Sequence, residues 1–99
     1  MNVTTFHITP SLTDDVDRNT YAEAHGFTAY TDGWELSWTA PLTSSTTAEV
    51  LINPTENPDT WNVAIFDLIN DNDSDVTVIH TNVPSFAEAV LIASHIASH

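Results

Sequence analysis

The chain has 99 residues, 14 of them Asp or Glu, and its only basic residue of the Lys and Arg type is Arg18, so the formal net charge is −13. Such a surface repels nucleic acid and anionic membranes, which excludes direct binding to either. The hydrophobic fraction of 41% excludes a disordered chain, and the length fits a single domain over residues 1–99.

The meaning of this charge depends on how densely the acids lie on the folded surface. A protein of this mass exposes roughly 5,500 Å², which gives one carboxylate per roughly 400 Å² if the acids are spread evenly. Duplex DNA presents about one phosphate per 100 Å². The acids therefore approach the charge density of a nucleic acid only if they gather on about a third of the surface.

The chain contains no cysteine, which excludes disulfides and thiolate metal sites. No basic and apolar leader opens it, and its longest apolar run, residues 89–93, is too short to span a bilayer. We therefore expect a cytoplasmic protein.

The first element is a predicted strand over residues 3–9, in which Thr4, Phe6 and Ile8 alternate with the residues between them. Between residues 11 and 25, Ser11 or Thr13 could cap a short helix that ends before Gly26.

A hairpin is predicted over residues 27–40. The Asp-Gly pair at 32–33 favours a two-residue type I′ turn. Pairing outward from that turn places Ala29 opposite Leu36 and Phe27 opposite Trp38, on an apolar inner face.

Three further strands are predicted over residues 47–53, 61–69 and 76–81, with residues 70–75 as the loop between the last two. A helix over residues 86–98 follows, because Ser85 and Glu88 form a capping box. Its apolar residues fall within an arc of about 160°, the width of a stripe that packs on a sheet.

This order of elements predicts the α+β class, with an antiparallel sheet of five or six strands and a C-terminal helix packed on one face. Leu91 lies among the polar positions of that helix. A second copy of the chain could therefore form a homodimer through the helix near Leu91.

Two sequence patterns resemble parts of metal-binding motifs, and neither motif is complete. Residues 71–75 match the opening of a calcium loop, but Val76 stands where that loop needs Gly and Asn82 where it needs Glu. His95 and His99 are four residues apart, a spacing that can share a zinc ion. A solvated acidic loop and a polar helix face are the favoured interpretations, so we expect no metal and no cofactor.

Nothing in the sequence indicates catalysis. It has no cysteine or lysine, no glycine-rich phosphate loop and no serine in a nucleophile elbow. His7 and His80 lie in predicted strands and lack a motif that would make either a general base. The sequence therefore predicts a protein that is not an enzyme.

The acids themselves are the candidate site, since ordinary soluble surfaces mix both signs of charge. We expect partner binding by one cluster near residue 15, one near residue 73, and the hairpin tip with its neighbouring tyrosine. The predicted residues are Asp14, Asp15, Asp17, Tyr30, Asp32, Glu35, Asp71, Asp73 and Asp75.

In size, charge and lack of an evident active site, the chain resembles phage-encoded DNA mimics and anti-defence proteins, such as anti-restriction and anti-CRISPR inhibitors. This resemblance implies a partner that is a basic nucleic-acid-binding protein of a host defence system, blocked in the host cytoplasm. Steering toward a positive channel would bring the two together.

The alternative is adaptation to a saline cytoplasm, in which the acidity serves solubility and the function, whether structural or oligomeric, lies elsewhere. The excess of Asp over Glu, the many Thr residues and the absence of Lys all fit this alternative.

Overall fold

The computed structural model describes residues 12, 14–32, 35–70 and 73–98. Its elements, in chain order, are α1 (Asp15–Ala24), β1 (Thr28–Asp32), β2 (Glu35–Pro41), β3 (Ala48–Pro54), β4 (Trp61–Asn70), β5 (Asp73–Val83) and α2 (Phe86–Ala97). The predicted strand over residues 3–9 lies outside the described residues.

The five described strands form one antiparallel sheet in the order β1-β2-β3-β4-β5. Both helices contact the sheet and each other. The predicted α+β class is confirmed, with α2 packed on the sheet as expected and α1 added at the N-terminal end. Neither described helix is long and apolar enough to cross a bilayer.

The N-cap of helix α1 lies one residue after Thr13 and three after Ser11, the two predicted caps. Asp14 is the N-cap, and its carboxylate accepts a hydrogen bond of 2.8 Å from the backbone N–H of Asp17. A carboxylate at this position also interacts favourably with the positive end of the helix dipole. The helix ends before Gly26, as predicted, and Gly26 has a φ of 87°, a conformation that costs glycine little.

The β1–β2 hairpin forms, but its predicted register is wrong by two residues. Ala29 pairs with Trp38 rather than Leu36, and Asp32 pairs with Glu35. Residues 33–34, the two between the strands, lie outside the described part of the chain. A shift of two keeps every side chain on its face, so alternation alone cannot distinguish the two registers.

The predicted loop over residues 70–75 is also wrong. β4 continues to Asn70 and β5 begins at Asp73, with Asp67 opposite Asp75. Turn-forming residue types suggested a long connection here, but continued pairing satisfies the backbone hydrogen bonds of these residues inside the sheet. Asp71 and residue 72 lie outside the described residues.

Helix α2 matches its prediction closely. The Ser85 hydroxyl accepts a hydrogen bond of 3.2 Å from the backbone N–H of Glu88, and the helix ends at Ala97. Phe86, Ala89, Val90 and Ala93 are buried against the sheet.

The core centres on three aromatic rings contributed by β2, β4 and α2. Trp38 packs edge-to-face on Phe86 at 4.5 Å and on Trp61 at 5.9 Å, between ring centroids. The Trp38 indole N–H also donates a 2.7 Å hydrogen bond to the side-chain oxygen of Asn19 in α1. This one side chain therefore connects the sheet to both helices.

A network of polar side chains holds the β3–β4 loop against the end of β5. Asn82 has a φ of 54°, and its side-chain oxygen accepts hydrogen bonds from Asn57, Thr55 and Thr60 at 2.8, 3.3 and 3.4 Å. The hydroxyl oxygens of Thr55 and Thr60 are also in contact, so the two hydroxyl protons are shared among these contacts. Asn tolerates the left-handed conformation better than most residues, which explains its place at the centre of this network.

We expect Trp38→Phe to lower the free energy of unfolding by about 2–4 kcal/mol, because it opens a cavity and leaves the Asn19 oxygen without its donor. Urea unfolding followed by far-UV circular dichroism measures this. Asn19→Ala removes the hydrogen bond but not the ring, and should cost about 1–2 kcal/mol. Equal losses from the two variants would contradict a packing role for the ring.

Candidate functional site

The two faces of the sheet differ, and the candidate site divides between them. One face carries Trp38, Val50 and Val63, which are buried beneath the helices; we term it the helix side. No described helix packs on the other, which we term the open face. Its alternating positions include Tyr30, Thr39 and Phe66.

Arg18 is directed inward and does not offset charge on the surface. Its guanidinium lies 3.1 Å from the Asp15 carboxylate and 5.0 Å from the centroid of the Trp61 ring. The Arg18 side chain is only 16% exposed, whereas that of Asp15 is 64% exposed. The only Lys or Arg of the chain is therefore paired within the fold, and the other exposed carboxylates have no second Lys or Arg with which to form an ion pair.

The first predicted acidic cluster, Asp14, Asp15 and Asp17, lies at the N-terminus of α1. All three residues are exposed. Because Arg18 contacts Trp61, the first residue of β4, this cluster lies near the start of β4 on the helix side. Capping and the helix dipole supply a structural reason for these acids that requires no partner.

Strand pairing changes the membership of the second predicted cluster. Asp75 lies directly opposite Asp67, a residue that the sequence analysis did not select. The Asp67 carboxylate accepts a 3.2 Å hydrogen bond from the hydroxyl of Thr47. By strand alternation from Val63, both carboxylates belong to the helix side. Asp73 is the first residue of β5.

The structure does not merge the two clusters into one patch. Asp67 is six residues along β4 from Trp61, about 20 Å along the strand, so the two clusters lie toward opposite ends of β4. We term Asp14, Asp15, Asp17, Asp67 and Asp75 together the acidic helix side. Its two parts share one side of the molecule.

The remaining predicted residues lie elsewhere. Tyr30 and Glu35 are exposed and occupy open-face positions, and Asp32 pairs with Glu35 at the end of β1. The hairpin tip therefore does not join either part of the acidic helix side.

The open face presents apolar side chains that the sequence analysis missed as a surface feature. Val76 and Val78 are 50% and 52% exposed, and Val76 lies opposite Phe66. A shallow cleft of about 280 Å³ lies beside them, lined by Tyr30, Thr39, Glu49, Leu51 and Phe66. The available signal was the alternation of Ala64 and Phe66 with Val63 and Ile65, which predicts a strand that is apolar on both faces.

The histidines form no cluster within the described residues. His25, His80 and His95 are exposed, at the end of α1, on β5 and on α2, while His7 and His99 lie outside the described part. No three His, Asp or Glu side chains come together to hold a metal ion among the residues described. Leu91, the predicted dimer contact, is 50% exposed on α2.

Comparisons with family models, with curated proteins and with solved structures found no match to this chain. The candidate site is therefore argued from the geometry of its own residues.

We expect Asp75→Asn to raise the free energy of unfolding by about 0.5 kcal/mol at low salt, since it removes a like charge opposite Asp67. Molar salt should abolish the gain by screening the pair. Thermal unfolding at two salt concentrations measures both effects. Glu56→Gln, which removes one charge from an exposed loop, is the matched control, and an equal gain from it would show that only net charge matters.

Proposed function

We propose that this chain is a binding protein that occupies the basic, nucleic-acid-binding groove of another protein and carries out no reaction of its own. The observation that supports this most directly is the acidic helix side, in which Asp14, Asp15, Asp17 and Asp75 are exposed and Asp67 is partly exposed. The single Lys or Arg of the chain, Arg18, pairs with Asp15. A surface of one sign steers an oppositely charged partner and then contacts it through charge-assisted hydrogen bonds.

The spacing of the acidic helix side suits such a groove. The positions on β4 beside which its two parts lie are about 20 Å apart, a distance that corresponds to about six steps of a nucleic-acid strand at 3.4 Å each. A groove that contacts phosphates along that length could bind both parts at once. Buried Trp38 and Val90 keep the body between them rigid enough to hold that spacing.

The finer identity of the partner rests on the resemblance in size and charge to phage inhibitors. On that basis the target is a nuclease or another nucleic-acid-binding protein of a host defence system, met in the host cytoplasm. Because the acids are separated into two parts, they would replace phosphates at the two ends of the groove and not along its whole length.

A pull-down from host lysate at low salt, after nuclease treatment, tests the proposal. We expect a nucleic-acid-binding protein to be retained and to be released by added duplex DNA. The variant Asp17→Asn, Asp67→Asn, Asp75→Asn should weaken retention about tenfold or more, because it removes both parts of the acidic helix side.

The control is Glu23→Gln, Glu56→Gln, Asp59→Asn, which loses the same charge elsewhere on the exposed surface. It should retain the partner. Equal losses from the two variants, or retention of proteins that DNA does not release, would contradict the proposed groove.

Adaptation to a saline cytoplasm is the second candidate, and the Asp67–Asp75 pair favours it. Two carboxylates face each other across paired strands, and the Asp67 carboxylate accepts a hydrogen bond from a threonine hydroxyl, which carries no charge to offset the pair. Such repulsion is tolerated most easily where salt screens it.

Salt-dependent melting separates the two candidates. An inhibitor from an ordinary cell should be fully folded at 0.15 M salt, where screening acts over about 8 Å. A protein adapted to brine should be largely unfolded there and fold only as the salt approaches molar concentration. Circular dichroism at increasing NaCl concentration measures this, and a chain unfolded at 0.15 M would exclude an inhibitor from an ordinary cell.

A further inference from the structure

The open-face cleft has a composition that the acidic helix side lacks. Two aromatic side chains, Tyr30 and Phe66, line it together with Leu51, and Glu49 is the only charged residue among its described lining residues. We propose that this cleft binds an arginine side chain presented by another protein. It would be a second binding surface, separate from the acidic helix side.

Strand register explains why a cleft forms at this place. Leu51 lies opposite Ala64, and Tyr30 lies opposite Ser37, so two small residues alternate with larger ones across the open face. Ala64 and Ser37 are both buried. The larger side chains beside them extend further from the sheet and form the walls of the cleft.

The lining suits arginine better than other side chains. The apolar stem of arginine can lie along Leu51, while its planar guanidinium pairs with the Glu49 carboxylate through two parallel hydrogen bonds. Guanidinium groups also stack on aromatic rings, which Tyr30 and Phe66 supply. The Thr39 hydroxyl offers one more acceptor.

A second copy of this chain cannot supply that arginine. Its single arginine, Arg18, is held by Asp15 and covered against Trp61. Two copies would also bring together net charges of −13 each. The arginine therefore comes from a different protein, to which the net charge is attractive.

The surroundings of the cleft favour a protein over a free small cation. Val76 and Val78 continue from Phe66 along the same face and are half exposed. A charged anchor surrounded by apolar side chains that exclude water is the usual arrangement of an energetic centre in a protein interface.

Nuclear magnetic resonance of the ¹⁵N-labelled chain of 99 residues tests the inference, with N-acetyl-arginine amide as the probe at low salt. We expect amide shifts at Thr39, Glu49, Leu51 and Phe66. N-acetyl-citrulline amide, which has the same shape without the charge, should bind about fivefold more weakly or worse. Glu49→Gln should weaken arginine binding to a similar degree.

Glu56→Gln is the matched control, since it has the same net charge as Glu49→Gln and lies outside the cleft. It should leave arginine binding unchanged, and the spectrum of Glu49→Gln outside the cleft should remain that of the parent chain. Equal weakening by both variants, equal binding of citrulline, or the absence of shifts at the cleft would overturn the inference.

These experiments test the proposed groove binding and the arginine cleft independently of each other. Asp17→Asn, Asp67→Asn, Asp75→Asn should still bind the arginine probe through the cleft. If the probe binds and the pull-down fails, the cleft inference stands and the proposed groove does not.

Discussion

The contact of Trp38 with Trp61 and Phe86 is the constraint on which the rest of the molecule depends. The three rings come from two strands and a helix, and Asn19 ties the same indole to the other helix. Edge-to-face aromatic pairs add to the burial of large apolar rings, so this cluster combines much of the available hydrophobic free energy with a fixed geometry. It also places α1, and with it the first acidic cluster, above the start of β4.

That placement carries an electrostatic consequence. Arg18 lies over Trp61, where the ring and Asp15 stabilise its charge. A chain with a single arginine has used it to hold a helix to the core. Packing in the interior therefore affects the charge of the surface. The Arg18 guanidinium lies against the core and is not available to offset the exposed carboxylates elsewhere.

Much of the fold was predictable because its signals are local. The N-cap at Ser85, the apolar stripe of α2 and the alternation of the strands depend on residues a few positions apart, and the structure confirms the N-cap, the stripe and the alternation of the described strands. Register and strand ends depend on distant pairing. The predicted hairpin register is wrong by two residues, and β5 begins inside a predicted loop. Neither error changes which side chains face the core, so the pattern of apolar residues could not reveal them.

The candidate site was predictable in composition but not in arrangement. Asp75 could be selected from the sequence, yet its neighbour Asp67 could not, because their approach follows from the pairing of β4 with β5. The cleft around Glu49 was missed for a related reason. It depends on small residues such as Ala64 lying between large ones on adjacent strands, which no single segment of sequence records.

The irregular pairing of β5 has a consequence for solubility. Within the described sheet β5 is an edge strand with exposed valines, and such an edge is a place where other chains can add a strand. The pairing with β4 slips between Val63 and Ala64, and Asn82 turns the backbone through a positive φ. These irregularities shorten the straight stretch of β5 with which another strand could pair, which disfavours the growth of a fibril along this strand.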